Sequence, residues 1–251
     1  IFFNEKTIYN LVKHFKNNDI NIVGGIPENQ KSNENNITFQ ENAYMKREIN
    51  MKIREGLIWG NSMGVFGAIY AIRKESFHQI PEKFTADDFF VSMKVLENNG
   101  KIIFEPEATA TQNLTGSLKE EYKRKTRISS GNFQNLKTFA FPIIFKLNSN
   151  SFCFISHKVI RWIGPFLILI SVISNIFLLN INFYKISFLI FILSIILAIL
   201  DSILKKFNIN IKIIRFLTHF YTMNIALFIG FVKYIKGIEN NIWQPSVREN
   251  K

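Results

Sequence analysis

One cysteine, Cys153, stands alone in 251 residues, which excludes an intrachain disulfide and any metal cage built from several thiolates. Four histidines (His14, His78, His157 and His219) are scattered without metal-ligand spacing. No Asp-x-Asp triplet occurs anywhere. Acidic residues are scarcest where the chain is most apolar. Between Thr138 and Lys251 there are three Asp or Glu against 12 Lys or Arg, a net of +9, whereas residues 1–137 carry 16 against 19, a net of +3. The surplus cations therefore border apolar runs instead of forming a soluble stripe, a pattern that favours anionic lipid headgroups and argues against nucleic acid as a partner. No secretory leader precedes the first helix, and the first residue is Ile1 instead of Met, so a truncated start is expected.

Hydrophobic spacing predicts the elements. Ile8, Leu11, Val12 and Phe15 recur at helical intervals within 5–17. Ile20 to Val23 reads as a short buried strand closed by a turn at Gly24-Gly25, followed by a polar loop over 27–36. A helix is expected from Glu41 to Ile58, with ends blurred by mixed polarity, and a strand with a small-residue interruption from Gly64 to Arg73. Phe89 to Asn98 is a helix stopped by Gly100, Lys101 to Phe104 is the next strand, and Ser117 to Glu120 is a capping box opening a basic helix that runs to about Arg127 or beyond. Alternating strands and helices indicate an α/β layer. Three strands would leave its edges bare, so that layer is expected to be incomplete.

After Thr138 the character changes. Thr138 to Leu147, broken by Pro142, suits a segment lying in a membrane interface. Trp162 to Leu179 has eighteen residues and no charge, enough to span; Phe183 to Leu200 is a second span, and Phe216 to Ile235 a weaker third, interrupted by His219, Asn224 and Lys233. Lys158 and Arg161 before the first span, with Lys205, Lys206, Lys212 and Arg215 after the second, place both clusters and the α/β part on the cytoplasmic side. A full third crossing would carry Lys233, Lys236 and Arg248 outward, against that rule. The expected divisions are 1–137 (α/β layer), 138–157 (interfacial segment), 158–235 (two or three transmembrane helices) and 236–251 (tail).

Three clusters could carry chemistry. Asp87-Asp88 opens a helix, where acids complement the helix dipole; one of them could also take a proton from an attacking hydroxyl. Lys123-Arg124-Lys125-Thr126-Arg127 could be a solvated basic face beside lipid, or Arg124 and Arg127, three apart on one helix face, could meet a departing diphosphate. Gly67-Ala68 could be a core bulge or could leave room for an acceptor beside the backbone.

The runs GAIYAIRKESF (67–77), ADDFFVSMKVLENNGKIIFEPEA (86–108), EEYKRKTRISSGNFQNL (120–136) and ISHKVIRWIGP (155–165), in that order and spacing, resemble the C-terminal half of family 2 membrane glycosyltransferases of GT-A fold, relatives of cellulose, chitin and hyaluronan synthases. The similarity covers most of residues 1–165 and continues loosely into the spans. It implies a partial GT-A (nucleotide-diphospho-sugar transferase) layer followed by transmembrane α-helices, with Asp88 as catalytic base and Asp87 its neighbour. The family's Gln-x-x-Arg-Trp motif falls on Arg124-Lys125-Thr126-Arg127-Ile128, which keeps the arginine, replaces the glutamine and lacks the tryptophan that stacks on the acceptor sugar in processive members. Gly67-Ala68 matches the family's small-residue acceptor-site strand.

The resemblance further implies a UDP- or GDP-type sugar donor, a lipid-linked or glycan acceptor, and Mg²⁺ or Mn²⁺ held by an Asp-x-Asp outside this chain. Without that half the chain alone is expected to be inactive. The location implied is a bacterial inner membrane, consistent with Asn-, Lys- and Ile-rich usage, and the role cell-envelope polysaccharide biosynthesis. The rivals are a transferase adding one sugar to a polyprenyl phosphate or glycolipid, and a non-catalytic membrane scaffold or glycan-binding pseudoenzyme. A transporter is disfavoured because no internal repeat is present.

Overall fold

The computed structural model describes residues 1–29, 36–112, 118–204 and 211–238, together with residues 207 and 209. A four-stranded mixed sheet forms its centre, in the order β1 (Phe2–Phe3), β4 (Lys101–Gln112), β2 (Ile20–Asn29) and β3 (Tyr70–Ile72). The two central strands β2 and β4 run parallel, and both edge strands pair antiparallel. The α/β layer is thus confirmed, with one strand more than the sequence indicates.

Strand lengths depart most from expectation. β2 does not turn at Gly24-Gly25 but runs through both glycines and Pro27 to Asn29. The glycines answer a close approach: a Cβ on Gly24 would lie 2.9 Å from the Phe104 ring, and one on Gly25 only 2.5 Å from the Ala108 carbonyl oxygen. Of the loop expected over 27–36, residues 30–35 lie outside the described residues. β4 extends twelve residues, well past Phe104. The strand expected from Gly64 to Arg73 is reduced to Tyr70–Ile72, because Gly64 takes φ +78° and Phe66 bridges back to Ile69 in a tight turn. Ser117 of the expected capping box is likewise outside the described residues.

A bulge at Ile20/Ile22 sets two residues of β2 against one of β4, so Ile20 and Val23 share a face although three apart. That face packs with Ala108 and Ala110 under Leu11 of α1 (Thr7–Val12). Ile22 and Ile102 enter the larger core on the opposite face, with Phe89, Phe90, Met93 and Leu96 of α3 (Asp87–Glu97). Helix α2 (Asn36–Trp59) also packs against β4.

The helical part begins with α4 (Leu118–Phe139), which continues unbroken across the division expected at 137/138. A π-helical turn (Ala140–Ile144), α5 (Ser149–Cys153), a second π-helical turn (Phe154–Val159) and α6 (Ile160–Trp162) follow, then α7 (Gly164–Phe177), α8 (Asn182–Leu204) and α9 (Lys212–Lys236). Phe139, Ile143 and Phe154 are buried in the main core, whereas Phe141, Phe145, Leu147 and Phe152 are exposed.

Among the described residues two helices, 182–204 and 213–236, are long and apolar enough to cross a membrane. The first span expected from sequence is not one straight helix. Its helix breaks at Ile163, leaving α7 with fourteen residues bent 63° from Ser149–Trp162, so the pair is either a broken span or a re-entrant loop. Pro165, in the first turn of α7, has no N–H to continue the preceding helix. Trp162 belongs to the globular core, 5.4 Å from the ring of Phe89 and 5.9 Å from that of Phe154. The candidate judged weakest from sequence is a continuous helix.

α9 crosses α4 closely. Ser129 Oγ donates to the Leu227 carbonyl at 2.9 Å, and a Cβ on Gly230 would fall 2.3 Å from Ser129 Cβ and 2.8 Å from the Thr126 carbonyl oxygen. At the start of α9, Arg215 Nε donates to both oxygens of Asp201 at 3.0 and 2.9 Å, fastening the α8–α9 hairpin.

Candidate active site

Asp87 and Asp88 are the first two residues of α3, behind Ala86, whose side chain cannot cap. Asp87 is exposed and Asp88 half-buried. Asp88 Oδ1 accepts the Phe89 N–H at 2.8 Å, and Oδ2 accepts the Gly67 N–H at 2.9 Å. Helix-end stabilisation and a possible role in chemistry therefore coexist in one side chain. Each carboxylate oxygen has two lone pairs, so one on each remains for a further donor. Burial raises the Asp88 carboxyl above its ordinary value; the Phe89 and Gly67 N–H groups and the Lys52 ammonium act against the rise, and the Asp87 charge adds to it. A carboxylate shifted in that direction is better matched to accepting a proton near neutrality.

Gly67 is where a backbone N–H meets that carboxylate. A Cβ there would lie 3.0 Å from Oδ2 and 3.3 Å from Cγ, tight enough to push the acid away. Ala68 instead packs beside Leu11, Ile20, Val23 and Ile69. Tyr70 of β3 lies near both acids: burial raises its phenol, and the charges of Asp88 and Asp87 add to the rise.

Arg127 reaches the same region from α4. Its Nη1 donates to the Thr85 carbonyl at 3.1 Å, three residues before Asp88, and Thr85 Oγ1 donates back to the Arg127 carbonyl at 3.3 Å. One turn along the helix, Gly131 allows the contact: a Cβ there would sit 2.7 Å from the Ala86 nitrogen. Asn135 Nδ2 donates to the Ala86 carbonyl at 3.3 Å. One face of α4 thus grips the segment that launches α3. Arg124, by contrast, is engaged by Glu121 through Nε and Nη2, both at 2.9 Å. Burial opposes ionisation of Glu121, but Lys125 and Arg124 outweigh it and hold the carboxyl below its ordinary value. Lys125 also lies 4.5 Å over the Tyr44 ring. Arg127 is thus tied to the segment before α3, and Arg124 to an acid of its own helix.

A buried polar network, not foreseen from the sequence, lies behind the carboxylate. His157 bridges two acids of α2, Nδ1 to Glu55 Oε1 at 2.6 Å and Nε2 to Glu48 Oε1 at 3.0 Å. Lys158 Nζ donates to Glu48, and Arg161 Nη1 donates to Glu48 Oε2 at 2.9 Å and to the Tyr44 hydroxyl at 2.8 Å. Glu55 Oε2 accepts the Met63 N–H at 2.9 Å, and Lys52 Nζ donates to the Met63 carbonyl at 2.7 Å and to the Gly64 carbonyl. Lys52 also faces the rings of Phe66 and Phe104 at 5.1 and 5.6 Å. Burial drives its amine down to about 7, helped by Lys158 and opposed by Glu48, Glu55 and Asp88. The turn that presents Gly67 to Asp88 is therefore held from below by side chains of α2. The spacing Glu48-x₃-Lys52-x₂-Glu55 was the available signal. Lys158 and Arg161, read from sequence as flanking charges that orient the membrane helices, are paired inside the fold.

The divalent cation that the resemblance implies is expected to have its ligands outside this chain. Among the described residues no group of three or more His, Cys, Asp or Glu could hold a metal. A family model described as glycosyl transferase family group 2 matches residues 3–201. A search of curated proteins found no match.

Proposed function

The chain belongs to group 2 of the glycosyl transferases, and from that membership we propose that it provides the acceptor-activating side of a membrane glycosyltransferase centre. The substrates are a nucleotide-sugar donor and a lipid-linked or polysaccharide acceptor. Asp88 takes the proton from the acceptor hydroxyl as that oxygen forms a bond to the anomeric carbon. The bond from that carbon to the nucleoside diphosphate breaks, the leaving group keeps the electron pair, and configuration inverts. Arg127 offers positive charge to the departing diphosphate, where fixed charge contributes most. No step is assigned to a metal ion. The observation that carries the proposal is the pairing of a half-buried acid of raised pKa, fixed by the Gly67 and Phe89 N–H groups, with an arginine bound to the loop three residues upstream.

Two long apolar helices support a membrane location. The proposed site is the cytoplasmic face of a bacterial inner membrane, with exposed Phe141 and Phe145 in the interface beside the acceptor.

Transfer from a radiolabelled nucleotide sugar, assayed in membranes containing the native gene product, tests the proposal. The length of the labelled product separates single addition from polymerisation. Labelled donor that binds and is never transferred would favour a scaffold instead. Arg127→Ala is expected to weaken inhibition by the nucleoside diphosphate about tenfold or more, the scale of a charge-assisted contact of roughly 1.5–3 kcal/mol. Arg127→Lys should recover part of it. Unchanged inhibition with a lower melting temperature would leave Arg127 only the task of tying α4 to Thr85.

A further inference from the structure

The outer face of α2 carries two cations that the rest of the described fold does not use. Arg47 and Arg54, seven residues apart and so on one helix face, are exposed, and neither has a hydrogen bond or ion pair among the described residues. With Asn50, Met51, Ile58 and Trp59 they line an open groove of about 400 Å³. The one acid in its lining, Glu55, is buried, with its oxygens engaged by His157 and the Met63 N–H. Among the described residues the groove therefore presents uncompensated positive charge.

Its far end is apolar. Leu57, Ile58 and Trp59 are 80%, 67% and 45% exposed in succession, and the Trp59 ring lies 5.9 Å from that of Phe152 on α5, itself 60% exposed. An uncovered aliphatic and aromatic cluster beside free guanidinium groups asks for an occupant with both an anionic head and an apolar body. The position of the face selects among such occupants. α5 leads through α6 directly into α7, and the Trp59 end of this face touches α5 through Phe152, so that end adjoins the entry to the apolar helices.

We propose that the outer face of α2 docks on anionic phospholipid at the bilayer surface. Arg47 and Arg54 pair with lipid phosphates, and Leu57, Ile58, Trp59 and Phe152 sit at the level where acyl chains begin. Indole rings favour that depth, and each basic side chain near an anionic surface adds attraction. The inference depends on membrane insertion of α8 and α9 and is independent of the transfer chemistry.

Trp59 supplies the probe. The full chain is reconstituted in nanodiscs in which either phosphatidylglycerol or phosphatidylcholine, at equal mole fraction, carries brominated acyl chains. The Trp59 signal is obtained by difference from the Trp59→Phe protein. Brominated phosphatidylglycerol should quench Trp59 more strongly than brominated phosphatidylcholine. The preference should drop about fivefold for each arginine replaced in Arg47→Gln and Arg54→Gln, and should survive Arg47→Lys/Arg54→Lys. Equal quenching by the two lipids, or a preference untouched by the glutamine pair in protein of unchanged circular dichroism, overturns the proposal. So does loss of the preference on adding inorganic phosphate but not chloride at equal ionic strength, which would reassign the arginines to a free anion. Trp59 accessible to aqueous iodide and to neither lipid would place the face against water or another protein and overturn it as well.

Discussion

Asp88→Asn is expected to lower turnover by about 10²–10⁴, the range by which a positioned acid or base accelerates transfer, while the affinity for donor stays close to wild type. Both oxygens of Asp88 accept backbone N–H groups, so the asparagine amide must face one of those donors with a donor of its own. Some stability will be lost for that reason alone, about 1–3 kcal/mol. Unfolding must therefore be followed beside kinetics. Retained turnover in a destabilised protein would reject Asp88 as the base and leave it as the acid that secures the Gly67 turn. The pH profile is an independent check. Burial favours the neutral acid and raises the folded pKa. Because the base works only when ionised, kcat/KM should fall as pH drops through that raised value, at a higher pH than an ordinary aspartate would give. In the asparagine variant that limb should vanish from whatever activity remains.

The second large effect is expected at a residue remote from the acceptor. Glu48→Gln removes the carboxylate shared by His157, Lys158 and Arg161 and leaves the latter two beside a neutral amide. Removing one partner of a buried ion pair costs about 3–5 kcal/mol, since the remaining charge stays desolvated. Tyr44→Phe, which deletes one hydrogen bond to Arg161, should cost about 1 kcal/mol. Unfolding curves in detergent compare the two, and a Glu48→Gln protein no weaker than Tyr44→Phe would contradict the network. The pH dependence has a definite sign. Burial opposes ionisation of Glu48, yet Lys158, His157 and Lys52 prevail and hold its folded carboxyl well below the ordinary 4.5. Its contribution is complete above pH 4.5 and lost as the solution is acidified below that value.

What could be read in advance tracks how local each determinant is. α3, with its acids at one end and Gly100 beyond the other, is encoded in consecutive residues, as is the alternation that marks an α/β layer. The glycines of β2 were misread because Gly-Gly commonly punctuates a turn; here they make room for Phe104 and Ala108, some eighty residues away. α2 looked indistinct for a related reason. Its mixed polarity is the signature of a helix whose buried face carries Glu48, Lys52 and Glu55, and such a face makes sense only once His157 and Lys158 are beside it. Two features of the structure have local signals in the sequence. Glu121 stands three residues before Arg124, in reach of a same-helix pair, and Gly164-Pro165 announced a break inside an otherwise uniform apolar run.

The seam between α4 and α9 bears on how the protein can be handled. Thr126, Ser129 and Phe133 on α4 are buried, and at Gly230 the two backbones come too close for any side chain to stand between them. Trimming the chain ahead of residue 212 to obtain a water-soluble domain would strip the cover from the helix that carries Arg127. The cut piece would then be prone to aggregate, and a loss of activity in it would say nothing about the catalytic groups.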